Sequence, residues 1–181
     1  MINSIFWLIP ASALLALIFA YYFFTNMMKN SEGTDEMKRI AQYVRDGAMA
    51  YLRRQYKVVA IVFAVLVVLL GLLAYMGVQN PFVPVAFLTG GFFSALCGYL
   101  GMKTATYASA RTAHGAATSL NKGLQIAFRS GAVMGLVVVG FALLDIAAWY
   151  YILTELVYTP AHMANGLELL GLTFVHPNTT E

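Results

Sequence analysis

Residues 58–76 read VVAIVFAVLVVLLGLLAYM, an apolar run without one charged side chain. A helix rises about 1.5 Å per residue and the hydrocarbon core of a bilayer is about 30 Å thick, so about 20 such residues cross it. In lipid every backbone polar group needs a partner, and a helix supplies those partners within one segment. Outward from this stretch three similar runs appear, at residues 5–25 (IFWLIPASALLALIFAYYFFT), from Val83 to Met102 and from Ile126 to Leu153. Pro10 falls in the first turns of its run, where a missing N–H costs least. Gly77-Val78-Gln79-Asn80-Pro81 supplies a turn after the second run. Asp145 is the one acid inside any of the four.

Composition agrees with this reading. Of 181 residues 60% are hydrophobic and 10% charged, against about 25% charged in an average soluble domain. A soluble globular enzyme is excluded on those grounds. The single cysteine, Cys97, rules out a disulfide framework within the chain and a multi-cysteine metal site. The basic residues flank apolar runs rather than forming a solvated aromatic-rich face, so nucleic acid is not an expected partner; the lipid bilayer is.

Lysine and arginine resist translocation and mark cytoplasmic loops. Lys29, Lys38, Arg39, Arg45, Arg53, Arg54 and Lys57 lie between the first and second runs, and Lys103, Arg111, Lys122 and Arg129 lie between or at the ends of the third and fourth. Together they are all eleven basic residues. The expected layout is a first transmembrane helix over 1–25 with its N-terminus outside, a cytoplasmic loop and amphipathic helix over 26–57, and spans over 58–77, 83–104 and 126–153. A cytoplasmic loop with helix ends covers 105–125, and an outer-side loop covers 154–181. The fold class is thus all-α and integral to the inner or cell membrane, with four transmembrane helices, a long cytoplasmic extension of the second, and both ends outside. A secretory signal peptide would need a positive segment before the first run and small residues after it; Phe23-Phe24-Thr25-Asn26 fits a retained anchor instead.

Thr34 is placed to cap a helix whose first turn holds Asp35 and Glu36, where the helix dipole favours negative charge. Met37, Ile40, Ala41, Val44, Ala48, Tyr51 and Leu52 recur at helical spacing, with Lys38, Arg39, Arg45, Asp46, Arg53 and Arg54 expected elsewhere on the circumference. That pattern fits a helix docked on neighbouring helices, or one lying on anionic lipid. Glu32, Asp35, Glu36 and Asp46 are the one concentration of carboxylates, but Asp35 and Asp46 stand about three turns apart and do not meet on one helix. Capping and solvated-face roles are expected of them rather than a metal site.

The third run carries a line of small residues, Gly90, Gly91, Ser94, Ala95, Gly98, Gly101, Ala105 and Ala108, and the fourth carries Gly131-x-x-x-Gly135 and Gly140. Small residues at this spacing let helices approach closely in lipid, so Gly135→Leu is expected to loosen an assembly that packs there. Asp145 stands before Trp149, Tyr150 and Tyr151, an interfacial belt; it is either a polar residue near the outer headgroups or a buried proton or cation ligand. His114, His162 and His176 are expected in loops at spacings that form no metal motif. Asn178-Thr179-Thr180 fits a glycosylation sequon.

The stretch from Gly98 to Leu136, GYLGMKTATYASARTAHGAATSLNKGLQIAFRSGAVMGL, resembles the third and fourth helices of the membrane-integral, ion-pumping inorganic pyrophosphatases. Lys103-Thr104-Ala105-Thr106, Ala110-Arg111-Thr112 and Ala127-Phe128-Arg129-Ser130-Gly131 carry the likeness. So do Glu36 to Ala41 and the stretch from Asp46 to Tyr56, which are similar to the approach to that family's second helix. The resemblance implies a homodimeric pump that hydrolyses pyrophosphate at a cytoplasmic magnesium site, stimulated by potassium in some members, and moves protons or sodium ions outward. It also implies that this chain corresponds to the N-terminal part of such a pump and lacks the Asp-rich stretch that performs the chemistry. No catalytic, cofactor-binding or metal-ligating residue is therefore assigned. An autonomous four-helix membrane anchor, assembly subunit or small oligomeric carrier is the alternative reading.

Overall fold

The computed structural model describes residues 4–169 and 172–175. A 3-10 turn, Ser4–Trp7, leads into α1 (Leu8–Met28); α2 (Asp35–Tyr75), α3 (Phe82–Thr118) and α4 (Leu120–Tyr151) follow. All four helical segments are long and apolar enough to cross a membrane. The chain is an all-α, multi-pass membrane segment, as its sequence predicts.

The runs are longer helices than the apolar stretches themselves. α2 has 41 residues, about 60 Å of helix, so one end projects well beyond what a bilayer covers. Thr34 caps it, its hydroxyl accepting from the Met37 N–H at 3.3 Å. The region 105–125, expected as a loop with helix ends, is helical apart from Ser119, whose extended backbone and side chain end α3 and cap α4. No proline interrupts this region, and alanines favour helix there. The segment after α4, expected as a loop, holds a π-helical turn (Ile152–Val157), α5 (Pro160–Asn165) and a two-stranded antiparallel hairpin, β1 (Leu167–Leu169) with β2 (Leu172–Val175). Asn80 of the α2–α3 turn donates to the Tyr158 hydroxyl at 2.8 Å, and Phe82 packs edge-on against Phe174 at 4.9 Å, holding this segment against that turn.

The core lies where α1, α3 and α4 meet. Ala20, Cys97, Val133 and Val137 are buried among Phe23, Phe24, Leu100 and Phe141, and Met27, Ala108 and Ile126 form a second cluster nearer the basic end. α2 packs mainly on α3, with Tyr56 and Phe63 in contact with it and the buried Leu52 and Ala74 spaced in steps that keep the same helical face. Phe63 stacks on Phe87 at 4.4 Å, and its ring lies where a Cβ on Gly91 would stand. The opposite face of α2, including Val62, Val65 and Leu69, is exposed, which suits a lipid surroundings that is as apolar as the side chains.

Candidate functional site at the basic end of the bundle

The chain leaves α1 through Asn30, whose amide donates to the Met27 carbonyl at 3.0 Å. Gly33 then takes φ +93°, a left-handed conformation that side chains rarely adopt. A Cβ there would also stand 3.0 Å from the His114 Nδ1 of α3, so the turn needs glycine on two counts. This turn carries Glu32 in between α2 and α3.

Glu32 Oε1 accepts from Arg45 of α2 and from Arg111 of α3, both at 2.7 Å. Side-chain exposure is 15% for Glu32, 13% for Arg45 and 9% for Arg111. Arg111 also donates to the Asn30 carbonyl at 3.0 Å and the Tyr107 carbonyl at 2.6 Å. The Arg45 guanidinium lies over the Tyr107 ring, 4.8 Å from its centre, a cation–π contact. Donation by Arg45 lowers the Glu32 pKa first; burial opposes this, and the charge of Arg111 reinforces it. One carboxylate thus ties the turn, α2 and α3 together in a fixed register.

Glu32 and Arg45 both correct the sequence reading: Glu32, expected as a cap or on a solvated face, is 15% exposed and accepts from two arginines, because the Gly33 turn carries it in between α2 and α3. Arg45, expected on the solvated circumference, lies on the packed face, between the buried Ala41 and Leu52. Ile40, Val44 and Tyr51, expected on the apolar face, are exposed. The signal was available: an arginine four residues after Ala41 and seven before Leu52 falls on the apolar stripe, and a charge there needs an acid partner. Nothing local identified Glu32, thirteen residues away, as that acid.

The other three carboxylates of this cluster sit on the exposed side of α2, two of them in its first turn. Asp35 pairs with Lys38 at 2.9 Å, Glu36 with Arg39 at 2.7 Å, and Asp46 accepts from Gln42 at 2.9 Å. Among the described residues no three His, Cys, Asp or Glu side chains come together. A magnesium ion needs several converging oxygens, so these residues do not fit one.

Small residues divide into two groups. In α3, a Cβ on Gly98 would stand 2.8 Å from the Tyr56 hydroxyl, and one on Gly101 would collide with Met134; in α4, Gly140 admits Leu17. Gly131 and Gly135, expected to pack, have nothing within 4 Å. That stripe is open in this segment. Asp145 is half-buried and faces Gly90, with its carboxylate 3.8 Å from where a Cβ would stand there. Trp149 donates to the Thr89 hydroxyl at 2.8 Å one turn further on. His114 and His162 lie in α3 and α5 rather than loops; His176 and the sequon lie outside the described residues.

Residues 14–174 match the family model for inorganic H+ pyrophosphatase. A protein of Bacteroides thetaiotaomicron, provisionally named a K(+)-stimulated pyrophosphate-energized sodium pump, is 59% identical over 95% of this chain and 24% of its own length. The K(+)-insensitive pyrophosphate-energized proton pump 2 of Moorella thermoacetica is 45% identical over 82% of the chain and 21% of its own length. The K(+)-stimulated pyrophosphate-energized sodium pump of Thermotoga maritima is 38% identical over 96% and 23%. The chain therefore spans less than a quarter of the length of these relatives. Four apolar helices, the motif blocks of α3 and α4, and a match running from α1 into the final hairpin lead to one conclusion: the chain belongs to the inorganic H+ pyrophosphatase family.

Proposed function

We propose that this segment is a peripheral scaffold within a pyrophosphate-energised ion pump, one that couples hydrolysis of pyrophosphate to outward movement of protons or sodium ions. The observation that carries this reading is a family match over nearly all of the chain and under a quarter of each relative. Magnesium, and potassium where it stimulates, would be held by other parts of the polypeptide, since Glu32, Asp35 and Glu36 are taken up by ion pairs and no three acidic, histidine or cysteine side chains converge among the described residues. No residue of this segment is assigned to the chemistry.

In this reading the basic end faces the cytoplasm and both ends of the segment lie outside, in keeping with the distribution of lysine and arginine. The Glu32–Arg45–Arg111 triad holds the projecting end of α2 on α3, next to where the pump would bind its anionic substrate. Gly131 and Gly135 present an open small-residue stripe on which further helices of the pump could close. A homodimer is the expected assembly.

The test is the intact mass of the native polypeptide extracted from source membranes and identified by the peptide from Asp46 to Arg53. A mass several times 19.8 kDa, with pyrophosphate-driven ion uptake in vesicles, supports the pump. A native mass of 19.8 kDa with no co-purifying catalytic chain refutes it.

A further inference from the structure

A groove of about 350 Å³ lies between α1, α3 and α4, walled by Leu17, Phe24, Leu100, Val133, Val137 and Phe141 and open along one side. From Leu17 to Phe24 it follows α1 for about 10 Å, a large part of one leaflet's hydrocarbon depth. Its one charged wall residue is Lys103, at the end nearer the basic loops. Lys103 stands twenty residues after Val83, about 30 Å along α3, so its ammonium reaches headgroup level where the hydrocarbon ends.

Among the described residues Lys103 has no carboxylate partner; its ammonium lies 6.0 Å from the centre of the Tyr99 ring. Thr104 beside it has turned its hydroxyl to the Leu100 carbonyl at 2.8 Å. Arg129, one turn beyond Val133 on the same line of α4, is likewise without an ion pair among the described residues. A second groove of about 300 Å³ at the opposite end of α1, lined by Trp7, Pro10, Leu144 and Tyr151, has no basic residue. Of these two grooves only the first pairs an apolar slot with a cation at its mouth.

We propose that this groove binds an anionic glycerophospholipid, its acyl chain lying along Leu17, Val137 and Phe141 and its phosphate on the Lys103 ammonium. The apolar walls bind any acyl chain by contact; the charge selects the headgroup.

The polypeptide carrying this segment, purified in mild detergent from its own membrane, is exchanged into phosphatidylglycerol and phosphatidylcholine of identical acyl chains. Retained lipid is counted by native mass spectrometry. The wild type should retain phosphatidylglycerol preferentially, Lys103→Gln should lower that preference about fivefold, and Lys103→Arg should keep it. Equal retention of the two lipids by the wild type overturns the proposal, as does the same preference in the Gln and Arg variants. A photo-crosslinker at the exposed Tyr21 on the rim should capture lipid; capture of another part of the polypeptide would mean that protein covers the groove, and also overturns it.

Discussion

Replacing Glu32 by glutamine keeps the size of the side chain but leaves Arg45 and Arg111 facing each other without a counter-charge. Removing one partner of a buried pair costs about 3–5 kcal/mol, and a hydrogen bond to a charged group contributes about 1.5–3 kcal/mol. Here the three side chains keep 9–15% of their exposure, and Arg111 retains two backbone carbonyls. Arg45 retains the Gln42 side chain at 3.3 Å. The loss should therefore fall at the lower end, about 2–3 kcal/mol. The assay is a double-mutant cycle of Glu32→Gln and Arg45→Gln, read by denaturing-detergent unfolding of the full polypeptide in mixed micelles. A coupling of about 1–2 kcal/mol is expected. Additivity within about 0.5 kcal/mol, or a cost for Glu32→Gln below that figure, would refute the reasoning and reduce the triad to a solvated surface pair.

The same triad predicts a pH dependence: because the Glu32 pKa is lowered in the folded state, its contribution is complete above the ordinary glutamate range of about 4.3 and is lost as pH falls below it towards the folded value. Unfolding midpoints should drop more steeply with acid in the wild type than in Glu32→Gln; parallel curves would count against this. Gly123→Val should destabilise the α3–α4 hairpin by about 1–3 kcal/mol, since a Cβ there would stand 2.7 Å from the Ala116 Cβ and 2.9 Å from its backbone; an unchanged unfolding midpoint would show that the two helices separate without cost. Gly135→Ala should be neutral or stabilising by up to about 1 kcal/mol if its face stays open, whereas a clear loss in the full polypeptide would place another helix there. Tyr56→Phe should cost about 1 kcal/mol, because its hydroxyl donates to the Ala95 carbonyl at 2.5 Å across α2 and α3; hydrogen exchange at the α2–α3 contact would show it.

The four spans, the Thr34 cap and the first-turn acids of α2 were legible because each depends on residues close in sequence. Apolar runs of bilayer length report on the solvent, and capping reports on the next three residues. The groups at the candidate site were harder. Arg45 is drawn onto the buried face by Glu32 and Tyr107, contacts made across 13 and 62 positions of the chain. Periodicity assigns charge to the outside by default and has no access to such partners. The glycines show the same division: sequence identifies surfaces on which helices could approach, and Gly91, Gly98, Gly101 and Gly140 are so used while Gly131 and Gly135 are not.

By itself the sequence determined the solvent, the four long apolar helices and the family, since hydropathy and local motifs carry those facts residue by residue. Tertiary structure alone decided which acid meets which arginine, which glycines meet a neighbour, and where an apolar groove opens beside Lys103. Those features depend on how four helices are rotated and set against one another, and that arrangement is fixed by contacts between residues far apart in the chain.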